Sequence, residues 1–347
     1  MNNKNFLSKE STIIIKKFSS FSHKKKIQKI KKNPDLFQFI DKKYWKNKSI
    51  VYNAVKKNGY LLQFVNDKLK DDKEIVNAAI QDYGLAIQFA SDKLKDNKNL
   101  AIKAIKTSGY ALKYLSDRLK KDEYIVLLSL KKNAYSLQYA DNKFKKNKIF
   151  IKKIFKFHLG GAAFRYIDEE LKNNKEIILC ALKTYGYSYR ELSKNSKLRS
   201  DKDVINAAIK QISHVLEYFD LKFRNNKNIV LCAVKQNGYS LKFASQNLRA
   251  QKKFIIKCVK QNGYSLLYAS TKLKNDYDVV LEAVKNYPLA LEYAGRKMKS
   301  NRKIVLSAVT SDPFSIEFAD KNLIKDQTIL STAIKKNEYI LKYLNNF

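Results

Sequence analysis

The chain has few of the residues that break secondary structure or mark linkers. Its 347 residues include only nine Gly and three Pro, and no stretch is rich in Pro, Gly or Ser. Composition does not shift anywhere to mark a domain boundary, although a chain of this length ordinarily divides into two or three domains. We therefore expect one continuous array over residues 22–347, preceded by a poorly ordered leader over residues 1–21.

Residues that carry chemistry are also scarce. Three histidines and three cysteines are present, and their spacing resembles no metal site. Cys180, Cys232 and Cys258 fall at or beside a position where other repeats carry Ala, which favours packing roles in a reducing compartment. No glycine-rich loop cradles a phosphate, and no nucleophile, base and orienting group share a motif. The sequence predicts a non-enzymatic protein with no cofactor, no metal and no catalytic residue.

Long apolar runs are absent as well. The longest falls far short of the ~20 residues that cross a bilayer, and the first 21 residues lack the apolar core of a secretory signal. We expect no membrane insertion. Together with the cysteine usage, this predicts an intracellular protein, in the cytoplasm of a host cell or a viral factory if its source is viral.

Acidic residues are few beside the basic ones: 70 Lys and Arg against 32 Asp and Glu give a net charge of +38. Such a field attracts polyanions and opposes self-association. The excess consists almost entirely of Lys, which is weak evidence for bidentate phosphate recognition because that geometry requires Arg. An A+T-rich genome explains many lysines, but it leaves the scarcity of acids unexplained.

What the sequence does contain is a repeat. The Asn-Gly-Tyr triplets at 58–60, 237–239 and 262–264 occupy the same place in their repeats, and the last two lie 25 residues apart. A fixed period is typical of stacked arrays. We count about thirteen copies of a roughly 25-residue repeat. The copies at 147–173 and 174–200 are longer, and we expect the first of them to carry its insertion in the turn at 158–161.

Each repeat predicts two helices. Asp72 is placed to cap a first helix, in which Ile75, Val76, Ala79 and Ile80 form one apolar stripe. A glycine with positive φ would end that helix. Leu241, Ala244 and Leu248 then mark one face of a second helix of about ten residues. The predicted fold class is all-α, an α-solenoid of about thirteen two-helix repeats.

The block from Asn226 to Ser245 resembles the repeats of a family called domain of unknown function 4116. Its pattern is an N-capped I-V-x-x-A-V-K-x-N-G-Y followed by L-x-F/Y-A-S-x-x-L-K, and the resemblance covers about residues 22–347. The family is known mainly from giant viruses, protists and some bacteria. The resemblance implies helical repeats and an intracellular setting, and it supplies no functional residues because the family has no established activity.

Lysines recur at three places in the repeat. The first lysine column, at the end of the first helix, holds our candidate contacts for a polyanion or partner: Lys56, Lys106, Lys131, Lys156, Lys183, Lys210, Lys235, Lys260, Lys285 and Lys335. The second column comprises Lys48, Lys73, Lys98, Lys148, Lys175, Lys202, Lys227 and Lys252, and the third comprises Lys70, Lys95, Lys120, Lys145, Lys172, Arg249 and Lys274. One interpretation is that they complement helix dipoles and solubilise an exposed face. The other is a phosphate-tracking stripe with salt-dependent, sequence-independent binding.

Two further columns lie in the second half of the repeat. The Tyr/Phe column is interpreted as core between repeats and comprises Phe64, Phe89, Tyr114, Tyr139, Tyr166, Tyr218, Phe243, Tyr268, Tyr293, Phe318 and Tyr343. The variable column comprises Gln63, Gln88, Lys113, Gln138, Arg165, Arg190, Glu217, Lys242, Leu267, Glu292, Glu317 and Lys342. Such variation on a constant scaffold is how repeat proteins tune a binding surface, and it is equally how an unconstrained surface drifts.

These patterns favour an interaction protein. The leading hypothesis is a scaffold or adaptor that binds another protein on its extended surface. The alternative is sequence-independent binding of DNA or RNA through the lysine columns.

Overall fold

The computed structural model of the chain describes residues 20–33, 36–37 and 42–340. Across these ranges the regular structure consists of α-helices and 3-10 helices, with no strand. The all-helical repeat fold predicted from the sequence is therefore confirmed. The predicted leader lies outside the described residues except for Ser20 and Phe21.

The chain divides into two compact units, residues 1–184 and residues 185–347. The boundary falls inside the segment 147–200, where the repeats are longer. The prediction of one continuous array over residues 22–347 stays a prediction.

Each repeat opens with an α-helix, here called the repeat helix. In the N-terminal unit these are His23–Lys32, Lys48–Val55, Lys73–Asp82, Lys98–Thr107, Glu123–Lys132, Lys148–Ile154 and Lys175–Leu182. In the C-terminal unit they are Lys202–Gln211, Lys227–Gln236, Lys252–Gln261, Tyr277–Asn286, Arg302–Ser311 and Gln327–Lys336. The predicted caps are present: Oδ1 of Asp72 accepts from the amides of Glu74 and Ile75 at 2.9 and 3.2 Å.

The repeat helices bury the predicted stripe. Ile75, Val76, Ala79 and Ile80 are fully buried, and the helix that carries them contacts the helices Lys48–Val55 and Lys98–Thr107 of its neighbours. The recurrent Ala lets neighbouring helices approach closely. It is fully buried at each of its predicted positions: Ala54, Ala79, Ala104, Ala181, Ala208, Ala233, Ala283, Ala308 and Ala333.

The second half of the repeat differs from the prediction, because a continuous second helix is wrong. A 3-10 helix comes first: Gly59–Phe64, Gly84–Phe89, Gly109–Tyr114, Ala134–Tyr139 and Gly160–Tyr166 in the N-terminal unit, and Gly186–Glu191, Ser213–Tyr218, Gly238–Phe243, Gly263–Tyr268, Pro288–Tyr293 and Pro313–Phe318 in the C-terminal unit. Two further 3-10 helices, Lys42–Lys46 and Lys197–Ser200, lie directly before a repeat helix, where the other repeats have a short α-helix. Short α-helices follow: Asp67–Lys70, Asp92–Lys95, Asp117–Lys120, Asn142–Lys146 and Glu169–Lys172, then Leu221–Arg224, Gln246–Arg249, Thr271–Lys274, Arg296–Lys299 and Lys321–Ile324.

The break between the 3-10 helix and the short helix joins adjacent repeats. Ala244 and Ser245 are extended, with ψ of 156° and 150°, and the Ser245 amide donates to the Arg224 carbonyl oxygen of the preceding repeat at 2.9 Å. The corresponding bond from Ser91 to Lys70 is 3.0 Å long. The Ser245 hydroxyl also caps the short helix at the Leu248 amide. The helix is thus interrupted here, and the main-chain amide at the break forms a hydrogen bond with the preceding repeat instead.

The glycine that begins many of these 3-10 helices has a different role from the one predicted. No described glycine has a positive φ. The repeat helix ends instead at an extended residue, Asn262 in one repeat, whose side chain accepts from the Tyr264 amide at 3.2 Å. A Cβ on Gly263 would lie 2.5 Å from the Ala283 carbonyl oxygen of the next repeat. Glycine is required here for close approach between repeats.

The longer repeats at 147–200 depart from the rest as expected. Their first repeat helix, Lys148–Ile154, is short, and Leu159 before the next 3-10 helix has a left-handed φ of 55°. In the second longer repeat, the extra residues lie between the 3-10 helices Gly186–Glu191 and Lys197–Ser200. The Arg199 guanidinium connects this repeat to the following one. Its Nη1 donates to the Leu192 carbonyl oxygen of the same repeat at 3.3 Å, and its Nη2 donates to the Tyr218 carbonyl oxygen of the next repeat at 2.5 Å.

Candidate partner-binding surfaces

The first lysine column lies at the C-terminal end of the repeat helices, and all ten of its members are exposed: Lys56, Lys106, Lys131, Lys156 and Lys183 in the N-terminal unit, and Lys210, Lys235, Lys260, Lys285 and Lys335 in the C-terminal unit. Among the described residues, only Lys260 and Lys285 have an ion-pair partner, and both contact Glu282, at 3.4 and 3.3 Å. This column therefore keeps most of its charge available to a partner.

The second lysine column is used within the array. Lys48 contacts Asp72 and Glu74 of the next repeat, each at 2.8 Å, and Lys252 contacts Asp276 and Asp278 at 2.9 and 2.7 Å. These bonds connect the start of one repeat helix to the start of the next. Much of the charge of this column is thus neutralised between repeats, which weakens its candidacy as a phosphate stripe.

Side chains of the third column form contacts within the protein. Lys95 and Lys120 pair with aspartates one helical turn earlier, at 3.1 and 3.4 Å. Lys145 Nζ donates to the Gln138 carbonyl oxygen at 3.0 Å, and burial lowers the pKa of Lys145. Of the three predicted columns, the first is therefore the one suited to contact a polyanion.

Rings of successive repeats meet at several joints within each unit. The residue after the Gly position, the leading ring, contacts the trailing ring, which is the Tyr/Phe column residue of the next repeat. In the N-terminal unit these pairs are Tyr60–Phe89, Tyr110–Tyr139 and Tyr135–Tyr166 at centroid distances of 5.8, 6.4 and 6.3 Å. In the C-terminal unit they are Tyr187–Tyr218, His214–Phe243, Tyr239–Tyr268 and Tyr264–Tyr293 at 6.1, 6.1, 5.2 and 5.3 Å. We call these rings the aromatic stripe.

The aromatic stripe corrects the interpretation of the Tyr/Phe column as core. Every described member of that column is half-buried, from Phe64 to Phe318, and Tyr343 lies outside the described residues. Two of the leading rings are more open, with Tyr60 exposed to 50% and Tyr110 to 38%, whereas Tyr135, Tyr239 and Tyr264 are half-buried. The actual core of the second half consists of the neighbouring aliphatic residues, such as Leu61 and Leu62. The rings pack across the joint between repeats and still face solvent.

The variable column lies on this stripe. Lys113 Nζ is 5.2 Å from the Tyr114 ring centroid and 5.9 Å from that of Tyr139 in the next repeat. Lys242 similarly lies 5.1 Å from Tyr239 and 5.9 Å from Phe243. Among the described residues, every basic member of the column makes cation–π contacts with rings of the stripe: Lys113, Arg165, Arg190 and Lys242.

The hydroxyls of Tyr293 and Tyr166 remain protonated at neutral pH. Burial raises the pKa of Tyr293 to about 12, and a hydrogen bond with Glu292 adds to the shift. Burial also raises the pKa of Tyr166. The stripe can therefore donate hydrogen bonds as well as offer ring surface.

The predicted packing role of the cysteines holds for one of the three. Cys258 is buried at the Ala position, and burial raises the pKa of its thiol to about 12. Cys180 is half-buried and Cys232 is exposed, because both lie one residue before the buried Ala. In the described part of the chain, no three His, Cys, Asp or Glu side chains are grouped to hold a metal ion. No helix among the described residues has the length and apolar character needed to span a membrane.

The family model described as Domain of unknown function (DUF4116) matches successive stretches that cover most of the sequence, at residues 27–70, 72–120, 122–159, 158–199, 201–249, 252–299 and 301–346. The chain belongs to this family. A typical DUF4116 match, such as 201–249, spans two of the repeats defined by the structure. Two DUF4116 matches meet at 158–159, inside the turn that carries the left-handed Leu159. No curated protein and no solved structure matches the chain.

Proposed function

We propose that this DUF4116 protein is a non-enzymatic scaffold that binds another protein along the aromatic stripe. The observation that carries the proposal is the ring contact across successive joints, which leaves large, rigid and partly exposed rings at regular intervals. Tyr and Trp rings are enriched at protein interfaces because they bury much area at low entropic cost and keep a polar tip. A stripe of this kind supports binding of an extended partner rather than of a small molecule.

The charge of the variable column supports a protein partner over a nucleic acid. In the N-terminal unit the column reads Gln63, Gln88, Lys113, Gln138 and Arg165, whereas in the C-terminal unit Glu217, Glu292 and Glu317 occur beside Arg190, Lys242, Leu267 and Lys342. A polynucleotide carries the same charge along its whole length, so it would be repelled where the column is acidic. A polypeptide can match both signs.

A photo-crosslinking amino acid placed in the stripe tests this proposal. We would introduce benzoylphenylalanine at Tyr110 or Tyr264, and, as matched controls, at Tyr124 or Tyr277, which are exposed tyrosines of the repeat helices. The expected result, in extracts of the cells that produce the protein, is a protease-sensitive adduct from the stripe positions only. Adducts of equal yield from the control positions, or none from the stripe, would contradict the proposal.

Nucleic-acid binding through the first lysine column is the second candidate. It is supported by the exposure of that column and by the lack of acidic partners for most of it among the described residues. The test is a pair of Lys-to-Gln changes at Lys106 and Lys131, with the same changes at Lys48 and Lys98 of the second column as the control. Binding of each variant to immobilised DNA and RNA is measured across salt concentrations. Selective loss in the first pair supports this candidate, and the absence of salt-dependent retention by the unmodified protein eliminates it.

A further inference from the structure

We infer that the variable column selects the charge of the partner at each repeat, and that the stripe of the N-terminal unit binds an acidic, extended polypeptide segment. This inference rests on the proposed function, and it adds the chemistry of the partner and the residues that determine specificity. The rings of the aromatic stripe recur in most repeats, with Leu85, Ala162 and Leu289 in place of a leading ring. The charge that differs from repeat to repeat is carried by the side chain of the variable column.

The position of these side chains makes them suited to that role. Lys113 lies over Tyr114 of its own repeat and Tyr139 of the next, so a partner that contacts the rings also meets the ammonium group. Arg165 lies over Tyr166 at 5.9 Å in the same way. Both side chains are exposed. A carboxylate on either one would form its ion pair beside an apolar ring, where the pair is less screened than in open water.

The repeat between them carries no charge in this column. Gln138 directs its amide nitrogen to the Tyr135 carbonyl oxygen at 3.0 Å and to the Tyr166 hydroxyl at 3.5 Å. Lys113 and Arg165 are thus separated by two repeats, or about 16–20 Å at the 8–10 Å spacing of packed helices. An extended chain advances about 3.3 Å per residue. Two partner carboxylates that reach both cations should therefore be about five or six residues apart.

The edge of the stripe disfavours a polynucleotide in the N-terminal unit. Asp117 and Glu169, at the start of the short helices, are exposed to 90% and 74%, and each pairs with a lysine one helical turn later, at 3.4 and 2.7 Å. Shallow grooves lie beside the trailing rings. One of them is lined by an acidic side chain, a basic side chain and a ring: Asp117, Lys120 and Tyr139. A phosphate backbone would place a negative charge at every nucleotide, including those beside Asp117 and Glu169. A peptide can carry its carboxylates only where Lys113 and Arg165 lie.

The experiment uses the full chain and fluorescein-labelled synthetic peptides of fourteen residues, rich in Tyr and Ser. The probe peptide has two Glu six residues apart, and the comparison peptides carry Lys at those positions or two adjacent Glu. A fourteen-nucleotide oligothymidylate is the polyanion control. The double variant K113E/R165E reverses the stripe charge, and K106E/K131E makes the same change of net charge on the repeat helices. Thermal unfolding followed by circular dichroism establishes that both variants are folded.

We expect the unmodified protein to bind the spaced-Glu peptide most tightly, by fluorescence polarisation. K113E/R165E should weaken that binding roughly tenfold or more and bind the Lys peptide better than the unmodified protein does, whereas K106E/K131E should change either affinity less than about twofold. Two results would overturn the inference. In the first, both variants lose the same affinity for the spaced-Glu peptide. In the second, K113E/R165E loses as much affinity for oligothymidylate as for that peptide. Failure of the unmodified protein to bind the spaced-Glu peptide would overturn it as well, and in that case protein adducts at Tyr110 would still support the proposed function.

Discussion

The Gly263 amide donates to Asn286 Oδ1 of the next repeat at 2.6 Å. The same Asn286 side chain donates through Nδ2 to the Lys260 carbonyl oxygen at 3.0 Å, so one amide group satisfies both a donor and an acceptor left by the end of the preceding repeat helix. Related contacts connect Gly59 to Asp82 and Gly186 to Gln211, at 2.8 and 2.9 Å. This position therefore stabilises the joint between repeats at the end of the repeat helix.

Substitution of Asn286 by Ala should loosen that joint. The change removes both hydrogen bonds, and we expect a loss of about 1–3 kcal/mol in the free energy of unfolding. The Gly263 amide should also exchange its hydrogen faster with solvent, because it loses its acceptor. Hydrogen exchange followed by mass spectrometry measures this protection, with Asn286→Asp as a control that retains the acceptor. Unchanged exchange at Gly263 in the Ala variant would contradict the proposed contact.

Substitution of Gly263 tests why glycine occurs there. A Cβ at this position would lie 2.5 Å from the Ala283 carbonyl oxygen and 2.7 Å from Tyr287 Cβ, so Gly263→Ala should cost about 1–3 kcal/mol through steric overlap. Gly263→Asn separates two explanations, because Asn tolerates a positive φ better than Ala does. Close approach predicts that both variants have a lower Tm, whereas a requirement for positive φ predicts that Asn is tolerated better. Ala134→Gly is the control, since Ala occurs naturally at that position.

Serines beside the stripe should respond differently to removal of the hydroxyl. Ser136 is buried and donates to the Gly109 carbonyl oxygen at 3.0 Å, so Ser136→Ala should cost about 1 kcal/mol. The buried Ser265 hydroxyl contacts no hydrogen-bond partner among the described residues, and Ala290 occupies the corresponding position in the next repeat. Ser265→Ala should therefore leave stability unchanged or raise it slightly. Chemical denaturation of both variants provides the comparison, and equal losses would refute it.

Asp72 should make the fold sensitive to acid. Burial alone would raise its pKa, but the hydrogen bonds from Lys48 and from the amides of Ile75 and Glu74 outweigh this effect, and the pKa is lowered. Because the folded pKa lies below the ordinary value near 4, the carboxylate stabilises the folded state above that pH. This contribution is lost as pH falls through the folded pKa.

The variant Asp72→Asn measures that contribution, since Asn caps equivalent helices, as Asn97 does at the Leu100 amide. We expect the unmodified protein to be more stable than the variant by at most about 1 kcal/mol at neutral pH, because the pair with Lys48 is partly exposed. The difference should shrink in high salt and disappear at acidic pH. A difference that stays constant from neutral pH to pH 2 would show that the ion pair is not its source.

Much of the fold could be predicted because apolar spacing alone determines the repeat helix. Ile75, Val76, Ala79 and Ile80 can be buried together only if that segment is helical. The second half misled the prediction because Leu241, Ala244 and Leu248 also fit a helical period. Its break depends on a hydrogen bond from Ser245 to another repeat, which no local pattern contains. A signal was nevertheless present, since Ser or Asp recurs just before most of the short helices, as a second cap would require.

The candidate surfaces were predicted less well. Exposure of the first lysine column follows from its position opposite the apolar stripe, whereas the pairing of Lys48 with Asp72 depends on how successive repeats align. The ring contact between Tyr239 and Tyr268 joins residues of different repeats and different columns. A period search treats each column separately, so it identified the rings without showing that they meet.

The hydrogen bond from the Ser245 amide to the Arg224 carbonyl oxygen uses only main-chain atoms. The same bond forms where the donor is Gly295 or Asp320, at 2.8 and 3.0 Å, so side-chain identity at that site is not needed to hold successive repeats together. Repeats can then be duplicated or exchanged in evolution without designing a new interface. Residues at the surface, such as Lys113 and Glu292, are free to diversify while the array stays intact.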